Sequence, residues 1–196
     1  KKNILNENAK PDPSTPYATS HASIDQVLKI YWNSMKFPYL IGRFANFYGP
    51  GQQLYRIIPR SIIYGLNGKK LKLDGGGKSI RSFIHYKDVN NGIYRMIKKG
   101  KLNQTYHFTN NEYVTIKKLV KLICQKLDLN YSNFVEESQE RLAKDHIYKM
   151  SCEKSYNFLK WQSNYNLSEG IDETIFWIKK NINEINKRPL NYIHKI

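Results

Sequence analysis

Long apolar runs, cysteine and acidic residues are all scarce in this chain of 196 residues. No segment approaches the roughly 18 consecutive apolar residues that a membrane-spanning helix needs, and no signal-peptide pattern opens the sequence. The two cysteines, Cys124 and Cys152, are too few for a disulfide framework and are typical of a reducing compartment. We therefore expect a cytoplasmic protein without a membrane partner.

Metal-ligand and phosphate-loop motifs are absent as well. The five histidines and two cysteines never fall at the spacing of a metal site, so we expect no bound metal. The stretch GGGKS at residues 75–79 is similar to the end of a P-loop, but that motif requires a glycine where the chain has Lys72. The residues after it also predict a strand instead of the helix whose N-terminus would bind phosphate. Spacing alone therefore identifies no complete active site.

Acidic side chains are too few to balance the basic ones. The 16 Asp and Glu residues stand against 32 Lys and Arg, which gives a formal net charge of +16. Such an excess is compatible with an anionic partner, namely nucleic acid, a membrane surface or a phosphorylated small molecule. The lysines are scattered along the chain, however, and no basic strand is interleaved with aromatic residues as in single-strand binding proteins. We therefore attribute most of the charge to a lysine-rich composition and expect no nucleic-acid partner.

What the sequence does contain is an alternation of helix-like and strand-like segments. Apolar residues recur at helical spacing from Ile24 to Met35, with Ser14 or Thr15 as the cap and Pro16 in the first turn. Further helices are predicted at residues 55–66, 88–98, 115–127 and 167–182, and another helix is predicted to end at about residue 159. Strands are predicted at residues 37–44, 71–73, 81–86 and 105–108, and a turn-rich loop at residues 45–51. This alternation predicts an α/β domain in which helices pack on a largely parallel sheet.

Seven segments, taken in order, are more informative than any one of them: PSTPYATSHASIDQ, RFANFYGPG, RIIPRSI, GGGKSIRSFIHYKDV, TYHF, RLAKDHIYKM and LSEGIDETIFWI. Together they resemble the extended short-chain dehydrogenase/reductase family. Within that family they are most similar to the NAD-dependent nucleotide-sugar epimerases and dehydratases, and especially to the members like dTDP-glucose 4,6-dehydratase. The likeness extends from about residue 12 to residue 180.

The resemblance implies an NAD-binding Rossmann half followed by a smaller domain that holds a nucleotide sugar. The G-x-x-G-x-x-G fingerprint of the first half is absent here, as is the Thr-Asp-Glu segment that dehydratases carry before the catalytic tyrosine. We therefore expect the C-terminal portion of such an enzyme, which alone should not hold NAD or be active. Residues 1–50 would end the Rossmann-type domain. Residues 51–196 would form mainly the substrate-binding domain, with segments that return to the Rossmann sheet.

Tyr17 and His21 occupy the family's positions for the catalytic tyrosine and the lysine that follows it by one helical turn. Residues four apart lie on one face of a helix, so the spacing fits. The resemblance implies that Tyr17 acts as the base while C4 of the sugar loses hydride to NAD, and that the partner stabilises the phenolate and holds the nicotinamide ribose. A phenol titrates near 10, so function near pH 7 needs a pKa shift of about three units, or about 4 kcal/mol. Histidine titrates near 6.5 and is shorter than lysine. His21 therefore either replaces the lysine in part or leaves the site impaired.

The resemblance also assigns residues to the diphosphate of the nucleotide sugar, namely Asn46, Arg56, Arg81 and Arg141. Guanidinium and amide groups suit such an anion. If the assignment is right, these four side chains converge on one cavity and the Tyr17 phenol lies beside it.

Several departures keep the nucleotide open. The dTDP-glucose enzymes have a proline and an aromatic residue where this chain has Lys72 and Asp74, a frequent asparagine is replaced by His107, and a frequent aspartate is replaced by Ser82. The favoured function is an NAD-dependent nucleotide-sugar 4,6-dehydratase whose full-length form is a homodimer. A nucleotide-sugar 4-epimerase and a catalytically degenerate nucleotide-sugar-binding relative remain the alternatives.

Overall fold

The computed structural model describes residues 4–139, 147 and 149–191. Its helices are α1 (Pro16–Met35), α2 (Ile57–Leu66), α3 (Tyr86–Lys99), α4 (Ile116–Lys126), α5 (Tyr131–Phe134), α6 (Glu153–Leu159) and α7 (Leu167–Asn186). Its strands are β1 (Leu40–Phe44), β2 (Asn46–Tyr48), β3 (Leu71–Asp74), β4 (Ile80–His85), β5 (Gln104–Phe108), β6 (Tyr113–Thr115) and β7 (Val135–Ser138). The predicted α/β class is confirmed. Among the described helices, none is long and apolar enough to cross a membrane.

Helix α1 begins and ends where its sequence predicts. The Thr15 side chain accepts a hydrogen bond from the backbone N–H three residues later, at 3.1 Å, and Pro16 occupies the first turn. The helix ends at Lys36, whose φ of 54° lies in the left-handed region. None of its 20 residues is buried, so α1 lies on the surface of the described chain. An ion pair between Asp25 and Arg43 joins it to β1.

The strands form three small sheets instead of one large sheet. β1 pairs with β5 in parallel, from Leu40 opposite Gln104 to Phe44 opposite Phe108. β4 lies between β2, which is parallel to it, and β6, which is antiparallel. β3 and β7 form the third sheet, again in parallel. Parallel pairing therefore predominates among the described strands, as predicted, because helices connect most of the paired strands.

Strand β2 corrects the prediction of a loop at residues 45–51. Asn46 pairs with Phe83 of β4, in a parallel register that continues to Tyr48. Only the second part of the segment is a turn, where Gly49 and Gly51 have φ values of +143° and +80° that favour glycine. The turn residues are visible in the sequence, whereas the pairing depends on a strand that is distant along the chain.

The buried core has two main parts. The first packs α2, α4 and α7 over β4, with Ile62 and Ile178 fully buried. The second packs α3 and α6 on β1 and β5 around Phe108 and Trp161, whose rings make an edge-to-face contact with centroids 5.1 Å apart. Each fully buried side chain of this size stabilises the fold by about 1.5–3 kcal/mol.

A buried carboxylate joins the start of α3 to the segment before α7. Asp88 is 1% exposed and accepts hydrogen bonds from the backbone N–H groups of Asn164 at 3.0 Å and Tyr165 at 3.1 Å. The next residue, Asn166, caps α7 with its side chain. The Tyr48 hydroxyl donates to the Asn166 backbone carbonyl at 3.4 Å, so the same junction also contacts β2.

Candidate functional site

A cavity of about 640 Å³ opens between β2, the start of α2, β4 and the start of α4. Its volume is in the range of small-molecule binding sites. Its wall is formed by Phe44, Ala45, Asn46, Phe47, Tyr48, Gln52, Tyr55, Arg56, Ile57, Ile58, Ser79, Arg81, Phe83 and Ile116. Three of the four residues expected to bind the diphosphate, namely Asn46, Arg56 and Arg81, therefore lie in the wall of one cavity.

Arg56 is brought to the cavity by the glycine-containing turn after β2. It precedes the first turn of α2 with extended backbone angles, φ −70° and ψ 151°. Its Nε donates to the Gln53 side-chain oxygen at 3.1 Å, and its guanidinium carbon lies 5.3 Å from the ring centroid of Tyr55. The residue is exposed, so these two contacts orient the guanidinium without removing it from solvent.

Arg81 enters the cavity from β4 and is half-buried. Its Nη1 donates to the backbone carbonyl of Ile80 at 2.8 Å, and its backbone faces Val114 of β6. Arginine carries five N–H donors in a planar fork, which suits two oxygens of one phosphate. Asn46, on the neighbouring strand β2, adds an exposed amide to the same wall.

The cavity wall is positively charged. Its described lining residues include two arginines and no aspartate or glutamate. A second cavity of about 660 Å³ lies between the β5–β6 loop and residues 150–166, and its described wall contains Glu112 and Glu153 but no lysine or arginine. Because an anion is attracted by guanidinium groups and repelled by carboxylates, only the first cavity suits a diphosphate.

The two buried histidines on the adjoining strands do not add to this charge. Burial lowers the pKa of His85 on β4, although the carboxylate of Glu173, 3.4 Å from its Nε2, opposes the effect. Burial also lowers the pKa of His107 on β5. Both imidazoles are therefore neutral near pH 7, and the positive charge of the cavity comes from its arginines.

Tyr17 and His21 lie together on the surface of α1. Their ring centroids are 4.5 Å apart with the planes tilted by 54°, and Tyr17 is 74% exposed. The expected juxtaposition on one helix face is confirmed. Neither residue belongs to the described wall of the 640 Å³ cavity, so the expected position of the phenol beside the ligand stays a prediction. Arg141 lies outside the described residues, and its part in the site also stays a prediction.

Two lining residues were missed by reasoning from the sequence, Ser79 and Gln52. The Ser79 hydroxyl and the Gln52 carbonyl oxygen are buried in the cavity wall and have no hydrogen-bond partner within the described chain. The one available signal was periodicity, because Ser79 stands two positions before Arg81 and alternate residues of an extended segment share a side.

Comparison with known proteins agrees with this architecture. The model of the NAD dependent epimerase/dehydratase family matches residues 1–110. The chain is similar to human dTDP-D-glucose 4,6-dehydratase, with 30% identity over 182 residues that cover 90% of this chain and 52% of the human protein. It spans about half the length of the curated relatives that it matches.

Solved structures extend the likeness to three dimensions. The dTDP-glucose 4,6-dehydratase of Bacillus anthracis, in complex with NAD, superposes with a TM-score of 0.88 at 29% identity, covering 93% of this chain and 58% of that one. The UDP-glucose 4-epimerase of Thermotoga maritima, solved with UDP-glucose, gives a TM-score of 0.87 at 21% identity, covering 93% and 59%. The second likeness concerns the fold alone.

Proposed function

Because the chain belongs to the NAD-dependent epimerase/dehydratase family, we propose that it forms the nucleotide-sugar-binding portion of an NAD-dependent nucleotide-sugar 4,6-dehydratase. The identity with dTDP-glucose 4,6-dehydratases supports a dehydratase over an epimerase. One observation carries the proposal, namely the meeting of Asn46, Arg56 and Arg81 in a cavity whose described wall holds no carboxylate. Arg141 is proposed as a fourth contact.

The diphosphate of a nucleotide sugar fits the chemistry of this wall. Its two negative charges would accept hydrogen bonds from Arg81 on β4 and Arg56 at the start of α2, and the Asn46 amide adds a neutral donor. Each hydrogen bond to a charged group contributes about 1.5–3 kcal/mol, so two or three of them would supply much of a micromolar affinity. The apolar part of the wall would then contact the base or the sugar.

Helix α1 is the part of the chain that fits NAD. Its exposed phenol and imidazole, from Tyr17 and His21, present two adjacent hydrogen-bonding groups that suit the hydroxyls of a ribose. When bound, NAD supplies a hydride acceptor for the C4 position of the sugar. Tyr17 would take the proton of the C4 hydroxyl, and His21 would stabilise the phenolate when protonated.

The domain boundary, the assembly and the compartment are also proposals. Residues 1–50 would belong to the Rossmann-type domain and residues 51–196 mainly to the substrate-binding domain, with the cavity wall drawn from both. The full-length form would be a cytoplasmic homodimer. The apolar side chains of Ile24, Ile30 and Met35, each more than half exposed on α1, support a further contact surface on that helix.

Isothermal titration calorimetry of the chain with UDP-glucose, dTDP-glucose and GDP-mannose tests the proposal. We expect at least one nucleotide sugar to bind, and Arg81→Ala to weaken its affinity by at least about tenfold. Lys179→Ala, which removes an equal charge from α7 outside the cavity wall, is the matched control and should bind as the wild type does. Binding that survives Arg81→Ala at full strength contradicts the proposal, as does the absence of binding to all three compounds.

The second candidate is a degenerate relative that binds nucleotide sugar without redox chemistry. It is favoured by one observation, the imidazole of His21 where the family has a lysine. Turnover of the NAD-loaded full-length protein, which Tyr17→Phe abolishes, would exclude it. The products of that assay would also separate the dehydratase, which yields a 4-keto-6-deoxy sugar, from an epimerase.

A further inference from the structure

Two buried polar atoms in the wall of the 640 Å³ cavity are left unpaired by the fold. They are the Ser79 hydroxyl oxygen and the Gln52 side-chain carbonyl oxygen, and neither has a hydrogen-bond partner within residues that the structure describes. Ser79 is only 1% exposed. The large majority of buried polar groups in folded proteins are paired, because an unpaired one loses its hydration without replacement. Two exceptions in one cavity wall therefore point to a ligand.

Three other buried hydroxyls in the described part of the chain are used by the fold, whereas the Tyr131 hydroxyl, outside the cavity wall, is also without a partner there. Ser61 donates to the Ile57 carbonyl at 2.6 Å, Thr174 to the Gly170 carbonyl at 2.7 Å, and Ser155 to a carbonyl of β5. In Ser79 only the side chain has no partner in the described chain, because the backbone carbonyl accepts a hydrogen bond from the backbone N–H of Ile116 at 3.0 Å. The backbone of Ser79 is therefore fixed while its hydroxyl has no structural task.

Gln52 is oriented by one half of its amide. Its Nε2 donates to the Phe47 carbonyl at 2.7 Å, which leaves the carbonyl oxygen as the unpaired half. That oxygen can only accept a hydrogen bond, whereas the guanidinium groups of Arg56 and Arg81 can only donate. A ligand that satisfies the whole wall must therefore carry both anionic oxygens and an N–H or O–H group.

We propose that Ser79 and Gln52 are specificity-determining contacts of the cavity. This inference rests on the proposed function, in which the cavity holds a nucleotide-linked diphosphate. The Ser79 hydroxyl donates to an oxygen of the phosphate that Arg81 binds, two positions further along the same segment. The Gln52 carbonyl accepts from a hydroxyl or N–H of the nucleoside. Gln52 thereby makes the cavity select nucleoside diphosphates over inorganic pyrophosphate, which carries no nucleoside to place a donor at this carbonyl.

The substitution Ser79→Ala separates a ligand contact from a structural role, because a structural role predicts a lower thermal midpoint of the free protein and a ligand contact does not. Removing an unpaired buried hydroxyl should leave the thermal midpoint of the free protein unchanged or raised. The affinity for UDP or dTDP, measured by calorimetry, should fall by about 10- to 100-fold. Ser61→Ala is the matched control, since it removes a buried hydroxyl that is paired and lies outside the cavity wall. It should lower the thermal midpoint and leave the nucleotide affinity unchanged.

The substitution Gln52→Leu tests the selectivity within a single variant. We expect the preference of the wild type for UDP over inorganic pyrophosphate to shrink by about tenfold, with pyrophosphate binding itself changed by less than about twofold. An equal loss for both ligands would show that Gln52 only shapes the wall, and would overturn its part of the inference.

The outcomes separate this inference from the proposed function. If the wild type binds none of UDP, dTDP and GDP, both are wrong. If it binds and Arg81→Ala abolishes binding, while Ser79→Ala and Gln52→Leu bind every ligand as the wild type does, the proposed function survives and the inference is overturned.

Discussion

Substitution of Asp88 by alanine should produce a large loss of stability without a loss of ligand specificity. The Asp88 carboxylate, 1% exposed, accepts backbone hydrogen bonds at 3.0 and 3.1 Å from the segment that leads into α7. It also lies in the first turn of α3, where a negative charge interacts favourably with the helix dipole. Alanine would remove both interactions and leave the backbone N–H groups of Asn164 and Tyr165 without acceptors.

The magnitude follows from the two charge-assisted hydrogen bonds. Each contributes about 1.5–3 kcal/mol, so Asp88→Ala should lower the free energy of unfolding by about 3–6 kcal/mol. That loss is a large part of the about 5–15 kcal/mol that stabilises a typical domain. In urea unfolding followed by circular dichroism, with a slope of about 2 kcal/mol per molar, the midpoint should fall by about 1.5–3 M. Asp88→Asn keeps one acceptor oxygen, so its urea midpoint should lie between those of the wild type and Asp88→Ala.

Glu184→Ala is the matched control, because it removes a carboxylate from an ion pair with Lys187 that is exposed on both sides. Such a pair contributes about 0–1 kcal/mol, so the urea midpoint should change little. If Asp88→Ala and Glu184→Ala cost the same free energy, the argument that the buried carboxylate joins α3 to α7 is wrong. A full loss of nucleotide binding by folded Asp88→Asn would equally refute the separation of this junction from the site.

Three further predictions concern the buried histidines, the turn after β2 and the pair on α1. Burial lowers the pKa values of His85 and His107, so below about pH 6.5 the unfolded chain binds more protons than the folded one, and the free energy of unfolding should fall as the pH decreases. His107→Asn should reduce the difference in unfolding free energy between pH 7.5 and pH 5.5, measured by urea unfolding. A difference equal to that of the wild type would contradict this prediction. Gly49→Ala should lower the thermal midpoint more than Gly51→Ala does, because both have positive φ but only a Cβ at Gly49 would collide with a tyrosine ring. In the NAD-loaded full-length protein, His21→Lys should give equal or faster turnover, and a loss of activity would mean that the imidazole has a role that lysine cannot fill.

Local signals explain which elements the sequence could predict. Helix α1 carries its own cap and first-turn proline, and α2 ends at Leu66, where the predicted helix at residues 55–66 also ends. Strand β2 could not be predicted in the same way. It is three residues long, and it is a strand only because Asn46 to Tyr48 meet β4. Pairing between distant segments is a tertiary effect that a local pattern does not contain.

The residues of the candidate site also fall into two groups, those that the sequence could identify and those that required the structure. Asn46, Arg56 and Arg81 were identified by resemblance to a family, since each would pass as a surface side chain by composition alone. Ser79 and Gln52 were not identified, because the signal that marks both is a buried polar atom without a partner in the described chain, and burial is known only once the chain is folded. The sequence offered one hint, the position of Ser79 two residues before Arg81. The resemblance therefore identifies the proposed donors to the diphosphate, whereas the structure adds the two buried groups that have no partner in the described chain.

Nucleotide binding and chemistry should be separable in this chain, because different elements carry them. The cavity wall is drawn from residues 44–83 and Ile116, while the Tyr17–His21 pair stands on α1 and belongs to no part of that described wall. Variants of the wall should therefore change the affinity for free nucleoside diphosphate, which has no sugar to react. Variants of the pair should leave that affinity unchanged and alter the rate of turnover alone. If Tyr17→Phe weakens UDP binding as much as Arg81→Ala does, the two functions share contacts and the separation is wrong.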